Sequence, residues 1–280
     1  MPLTPYVPRI KIVPLKTCVA HEGVVAAWVT QIASSLRDEG VMKNPIIVTK
    51  AGRAGRRIVI DGMHRFAALR QLEIPDVAVY EIDYADDQIT LGGWDVLTFR
   101  PFQARTFLAH HFPRCRIETT RELAVAQRTV DARTALVAAR DRRQTFYLPV
   151  PPRTISVEDC VREGRRLDDA LDAEGYRPVY VADTLAHADF ARTQATGLLI
   201  RPHYTKQEII QRTLAGKLFP RKSTRHMIPG RPLRVDVGMA LLRAPISLAA
   251  KNRLLDEHLR WSYEADRIRY YPESVFVFSD

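Results

Sequence analysis

Apolar side chains along the chain change period several times, and each change marks an element. Residues 8–15 carry Ile10, Ile12, Val13 and Leu15 as a first strand, and 17–22 form a polar turn. Over 24–36, Val24, Val25, Trp28, Val29, Ile32 and Leu36 recur with the stripe of an amphipathic helix. Three short runs, 45–49, 57–60 and 77–82, then read as strands. Ile58, Val59 and Ile60 show no polar alternation, the pattern of a strand covered on both faces. The glycine-rich 51–55 stretch reads as a hairpin turn, since it lacks the Lys-Ser/Thr ending of a P-loop. Just past Gly62 the period changes again: Phe66, Leu69 and Leu72 recur at helical spacing, so a helix opens where the third strand ends.

From Pro101 the texture becomes more helical. Runs at 102–111, 120–130 and 157–174 read as helices, interrupted by strand-like 145–150 and 178–182. Residues 197–201 are another strand. Thr205 caps a helix reaching about residue 215, with Glu208 placed for a capping box. Residues 233–237 alternate as a half-exposed strand does, and a helix at 248–263 and a strand at 274–278 close the chain. The clearest compositional seam falls near residue 100.

Composition narrows the class. With 280 residues, 46% hydrophobic and 26% charged, the chain can build one elaborated domain or two intimate ones. A net charge of +10, from 42 Lys and Arg against 32 Asp and Glu, permits anionic partners. The arginines are dispersed, so a solvated basic surface is favoured over a nucleic-acid footprint. Cys18, Cys115 and Cys160 are odd in number and far apart, which supports neither a disulfide framework nor a zinc site. No leader-like N-terminus and no long apolar run is visible, so a soluble, cytoplasmic protein without a membrane partner is expected.

Four constellations could carry chemistry. In Asp61-Gly62-Met63-His64-Arg65 an acid, a glycine, an imidazole and a guanidinium share the strand-to-helix turn. A helix start presents unpaired N–H groups and a positive dipole end to a phosphate; Arg65 adds a fork for phosphate oxygens, and Asp61 an oxygen for Mg²⁺. His21-Glu22 precedes the first helix, where a carboxylate is also an ordinary helix-end acid. Lys222 to His226 is a run of hydrogen-bond donors suited to an anion, or equally a basic turn. Trp94 after Gly92-Gly93 can wall a pocket, although packing is the usual fate of tryptophan.

Asp-Gly-x-His-Arg after a strand, opening a helix, resembles the ParB/sulfiredoxin-like nucleotide fold. Within that group the chain is similar to the free L-serine kinases, and most of all to their siderophore-cluster members, whose tail pattern it follows from Gly230 to Phe278. The archaeal serine kinases resemble it over a shorter length. The resemblance implies an α/β protein with a ParB-like nucleotide-binding core at 1–100. A second α/β lobe at 101–280, with a C-terminal helix–strand extension, would close the substrate site. It implies an ATP-dependent kinase converting L-serine to O-phospho-L-serine for amino-acid or siderophore-precursor biosynthesis. Glu22 would be the catalytic base, and Asp61 would hold Mg²⁺ or orient the nucleophile. Gly62, Met63, His64 and Arg65 would bind the nucleotide, and Trp94, Thr224, Arg225 and His226 the serine. ADP as donor remains open, since relatives use either nucleotide. A ParB-like DNA-binding protein is the alternative from another class, favoured only by the charge. A sulfiredoxin-like reductase needs a cysteine in the turn, where Met63 stands.

Overall fold

The computed structural model describes residues 9–52 and 55–270; the strand expected at 274–278 lies outside them. In chain order come β1 (Ile10–Pro14), β2 (Cys18–Ala20), α1 (Ala26–Glu39), β3 (Val41–Met42), β4 (Ile46–Lys50), β5 (Arg57–Asp61), α2 (Met63–Gln71) and β6 (Asp76–Ile82). Next are β7 (Thr90–Gly92), β8 (Trp94–Thr98), α3 (Ala104–His111), β9 (Arg116–Thr120), α4 (Leu123–Asp131), β10 (Ala138–Asp141), β11 (Phe146–Val150) and α5 (Val157–Ala173). The chain continues through β12 (Val179–Ala182), α6 (Asp183–Arg192), β13 (Gly197–Ile200), α7 (Lys206–Leu214), β14 (Arg225–Met227), β15 (Val237–Gly238), α8 (Met239–Arg243) and α9 (Leu248–Glu264). This is a mixed α/β fold, as expected. Between 105 and 170 a strand separates α3 from α4, and two strands separate α4 from α5. The described residues there offer no helix-turn-helix.

Two compact units form, drawn from Met1–Thr90, Ile210–Leu218 and Ile228–Asp280 and from Leu91–Ile209 and Phe219–Met227. This division differs from a single seam near residue 100. The reason lies in the tail: Leu255 and Leu259 of α9 join the core built on β1 and β6, so the C-terminal helix belongs to the first unit.

The first unit holds a five-stranded sheet in the order β1-β6-β4-β5-β2. Successive side chains of a strand point to opposite faces, and the cores follow that rule. Ile46, Val48 and Val59 pack with residues of α1, α2 and α9 on one face. Ile47, Ile58 and Ile60 form the other core, with Ile210 and Leu214 against it. β4 and β5, on either side of the 51–55 segment, pair antiparallel, as the arms of a hairpin do. The polar 17–22 segment is only partly a turn, because Cys18–Ala20 pairs parallel with β5. Residues 233–237 do not form the alternating strand: Arg234 and Asp236 take left-handed backbone angles of +51° and +57°, which an extended strand excludes. Only Val237 and Gly238 pair, with β3.

The second unit carries a six-stranded sheet, β12-β8-β13-β10-β11-β9, with helices on both faces. Leu97, Ala138 and Leu198 face α4 and α6; their neighbours Val96, Ala139 and Leu199 face α3 and α5. The predicted capping box of α7 is present, with Glu208 N–H donating to Thr205 Oγ1 at 3.2 Å and Thr205 N–H to Glu208 Oε2 at 2.9 Å.

Candidate active site

In the first unit the site grows out of parallel pairing. Cys18, Val19 and Ala20 align with Arg57, Ile58 and Val59, so β2 and β5 end side by side, about 4.8 Å apart. Two residues beyond that register lie Glu22 and Asp61. His21 fixes the first of these ends: it is buried, and its Nδ1 donates to the Val59 carbonyl at 2.6 Å. Its Nε2 then faces Glu22 Oε1 at 3.7 Å, and the Glu22 side chain is 12% exposed.

Gly62 makes the turn from β5 into α2 with φ at +90°. A Cβ there would lie 2.8 Å from Arg65 Nη2 and 3.0 Å from Ile46 Cγ2, so glycine serves both the turn and the passage of the arginine. Arg65 contacts Asp61 Oδ2 at 3.3 Å, and Arg231 contacts Asp61 Oδ1 at 3.4 Å. Burial pulls the Arg65 pKa down, while Asp61 opposes the shift. Arg65 Nε is buried without a hydrogen-bond partner, an N–H left for an anion. His64 has a second duty. Its Nε2 accepts the Val25 N–H at 3.1 Å, and its ring lies 5.2 Å from that of Trp28. The Met63 side chain is buried in the core, so only its backbone N–H, at the start of α2, serves the turn.

Asp61 does not fit a resident Mg²⁺ site. Mg²⁺ asks for close, near-octahedral oxygen ligands, and both oxygens of this single carboxylate face guanidinium groups. Among the described residues the group of side chains that could hold a metal is His110, His111 and Glu174, away from this turn in sequence and in the other unit.

In the second unit the structure joins three of the four remaining candidates. Trp94 Nε1 donates to the Thr224 carbonyl at 3.0 Å, and Lys222 Nζ sits 4.0 Å from the centre of the Trp94 ring. Arg225 Nη1 lies 3.5 Å from Asp183 Oδ1. Asp183 Oδ2 accepts the Gly93 N–H at 3.1 Å, which ties the residue before Trp94 to the same carboxylate. His226 follows on β14, half-buried.

Sequence reasoning missed the partners of these residues. Asp183 opens α6, His203 follows β13, Asp131 ends α4 and Arg231 lies in the tail; no local spacing links them. The signal that could have found Asp183 and His203 is the Gly92-Gly93 pair. A Cβ at Gly92 would lie 2.6 Å from Asp183 Oδ2, and one at Gly93 would lie 2.8 Å from His203 Cδ2.

The structure is that of an α/β protein with a glycine turn between strand and helix and a half-buried arginine at its lip, an arrangement suited to an anion. No family model matches the chain. It is 24% identical over 233 residues to the ATP-dependent L-serine kinase of Desulfurococcus mucosus, covering 80% of this chain and 88% of that protein. It is 22% identical over 222 residues to the ADP-dependent L-serine kinase SerK of Thermococcus kodakarensis, covering 78% and 86%. Among solved structures, SbnI with a C-terminal truncation from Staphylococcus aureus has a TM-score of 0.67 at 21% identity, covering 91% of this chain and 97% of that one. A free serine kinase in complex with AMP has a TM-score of 0.65 at 20% identity, covering 83% and 93%. The chain is thus similar in sequence to these L-serine kinases and shares the fold of the solved ones.

Proposed function

We propose that the chain is a phosphotransferase that moves the γ-phosphoryl group of ATP to the hydroxyl of free L-serine, giving O-phospho-L-serine and ADP. The observation that carries this reading is the end of the β2–β5 pair, where Glu22 and the Asp61–Arg65 turn emerge together. The serine Oγ forms a bond to phosphorus while the bridging P–O bond breaks, and ADP leaves with that electron pair. A hydroxyl is a poor nucleophile at neutral pH, so a carboxylate that accepts its proton lowers the barrier; Glu22 is that base. The N–H groups at the start of α2, His64 and the Arg65 guanidinium take the nucleotide phosphates. Asp61 keeps Arg65 aimed at the turn. Thr224, Arg225 and His226 take the serine carboxylate, with Trp94 as a wall. Phosphorylation makes the serine oxygen a better leaving group, so the product suits a following β-replacement reaction, as in amino-acid or siderophore-precursor synthesis.

ATP offered with each standard amino acid in turn, with phosphorus NMR on the products, tests the reading. ADP should accumulate with serine and O-phospho-L-serine should appear. Turnover indifferent to every hydroxy amino acid would end the kinase assignment.

Roles divide between the two arginines. Arg65→Ala should raise the nucleotide Kd about ten- to a hundred-fold, the loss of one charge-assisted hydrogen bond from a partly buried site. Arg225→Ala should leave that Kd near wild type and raise the KM for serine by a similar factor. Calorimetric titration with nucleotide, set beside steady-state kinetics, separates them. Equal loss of nucleotide affinity in both variants would show a shared phosphate site.

A further inference from the structure

The kinase reading leaves a half-buried polar network in the second unit without a task. Asp183 spends one oxygen on Arg225, at 3.5 Å, and the other on both the Gly93 N–H and His203 Nε2, the latter at 3.0 Å. The His203 contact is an ion contact rather than an aligned hydrogen bond. On the far side of the ring, His203 Nδ1 lies 3.4 Å from Asp131 Oδ2, and the His203 backbone N–H donates to Asp131 Oδ1 at 3.0 Å. Two glycines in succession make the room that Asp183 and His203 occupy. Such a chain of groups, drawn from α4, α6, β14 and the segment after β13, exceeds what packing alone asks for.

We propose that Asp131, His203 and Asp183 form a positioning relay that governs how freely Arg225 can grip the substrate carboxylate. The proposal rests on the assignment of Arg225 to serine. With His203 protonated, a cation answers Asp183 from behind, and Arg225 keeps positive character for an incoming carboxylate. With His203 neutral, that cation is gone, so Asp183 draws more strongly on Arg225 and competes with the substrate for it. Hydrogen bonding to Asp131 raises the His203 pKa against the effect of burial, with Asp183 and Asp95 adding to the rise. Burial pushes Asp131 up, but its bonds to His203 and Gln127 outweigh that and hold it below the usual range. Asp95, buried on β8 and accepting the Arg201 N–H at 3.1 Å, is pushed by burial up to about 7. The charged groups facing the relay are therefore Asp131, Asp183, Asp95 and Arg225.

The KM for serine, measured from pH 6 to 8.5, reads the relay. In the wild-type protein it should rise about ten-fold as His203 loses its proton, the size of one charge-assisted contact. In His203→Gln it should be high and flat, with kcat and nucleotide Kd near wild type. Asp95→Asn should keep the rise but move it to lower pH, because one anion near His203 is gone. A flat wild-type profile with serine turnover intact overturns the relay, and so does loss of the rise in Asp95→Asn, which would assign the titration to Asp95. A second readout needs no turnover: in NMR titrations of the free protein, Arg225→Ala should raise the His203 pKa by removing the competing cation. An unchanged His203 pKa overturns the relay even if serine is not the substrate, whereas absent serine turnover with a raised pKa removes only the kinase reading.

Discussion

Glu22→Gln is expected to lower kcat by about 10²–10⁴ while nucleotide Kd stays near wild type. Glutamine keeps the shape and the hydrogen-bonding reach of glutamate but cannot take a proton from the serine hydroxyl. The side chain is well placed for such a test, because its surroundings hold it by backbone geometry. The parallel register of β2 on β5 fixes where it emerges, and His21, anchored on the Val59 carbonyl at 2.6 Å, fixes the residue before it. A neutral amide should therefore sit where the carboxylate sat. Steady-state kinetics with serine and ATP, with calorimetry for the nucleotide, measure both quantities. Retention of most of kcat would reduce Glu22 to a helix-end acid, stabilised by the dipole of α1 and without a part in proton transfer.

Asp76→Ala is expected to destabilise the first unit by about 3–5 kcal/mol. Lys251 is 1% exposed, and its ammonium donates to Asp76 Oδ2 at 2.7 Å and to the Leu242 carbonyl at 2.7 Å. Removing the carboxylate leaves a buried charge with only a neutral acceptor. Urea denaturation of the variant reads the loss. Asp76→Leu combined with Lys251→Met should recover most of it, since an apolar pair has no charge to desolvate. A loss below about 1 kcal/mol in the single variant would mean that the lysine swings out to water instead. The pair also explains why the C-terminal helix joins the first unit: α9 brings its own cation to the start of β6.

The parts of this protein that could be read from sequence are those in which a short window carries the whole signal. The run Ile58-Val59-Ile60, the glycine and the helical recurrence from Phe66 sufficed for the strand, turn and helix at 57–71. The capping box at Thr205 and Glu208 was legible for the same reason. Where a backbone angle departs from what the side chains suggest, the pattern misleads, as at 233–237, where alternation is real but Arg234 and Asp236 are left-handed. Three-residue β2 is too short for a period, and only its neighbour β5 defines it. Asp131, Asp183 and His203 meet through tertiary contact alone, so the windows around them look ordinary. The tail's place in the first unit depends on Leu255, Leu259 and Lys251 finding partners some two hundred residues earlier, which periodicity cannot encode.

Asn252, the residue after that lysine, closes the sheet. β1 is an edge strand, and the Asn252 side-chain amide accepts the Ile12 N–H at 2.8 Å and donates to the Ile12 carbonyl at 2.9 Å. One side chain thus imitates the peptide group of a neighbouring strand, at the middle of a five-residue edge. An edge with its central donor and acceptor already engaged is a poor template for a second chain. The helix that carries Asn252 is therefore also a guard against self-association, and a protein shortened ahead of it for convenience of expression would expose an aggregation-prone border, whatever the state of its nucleotide site.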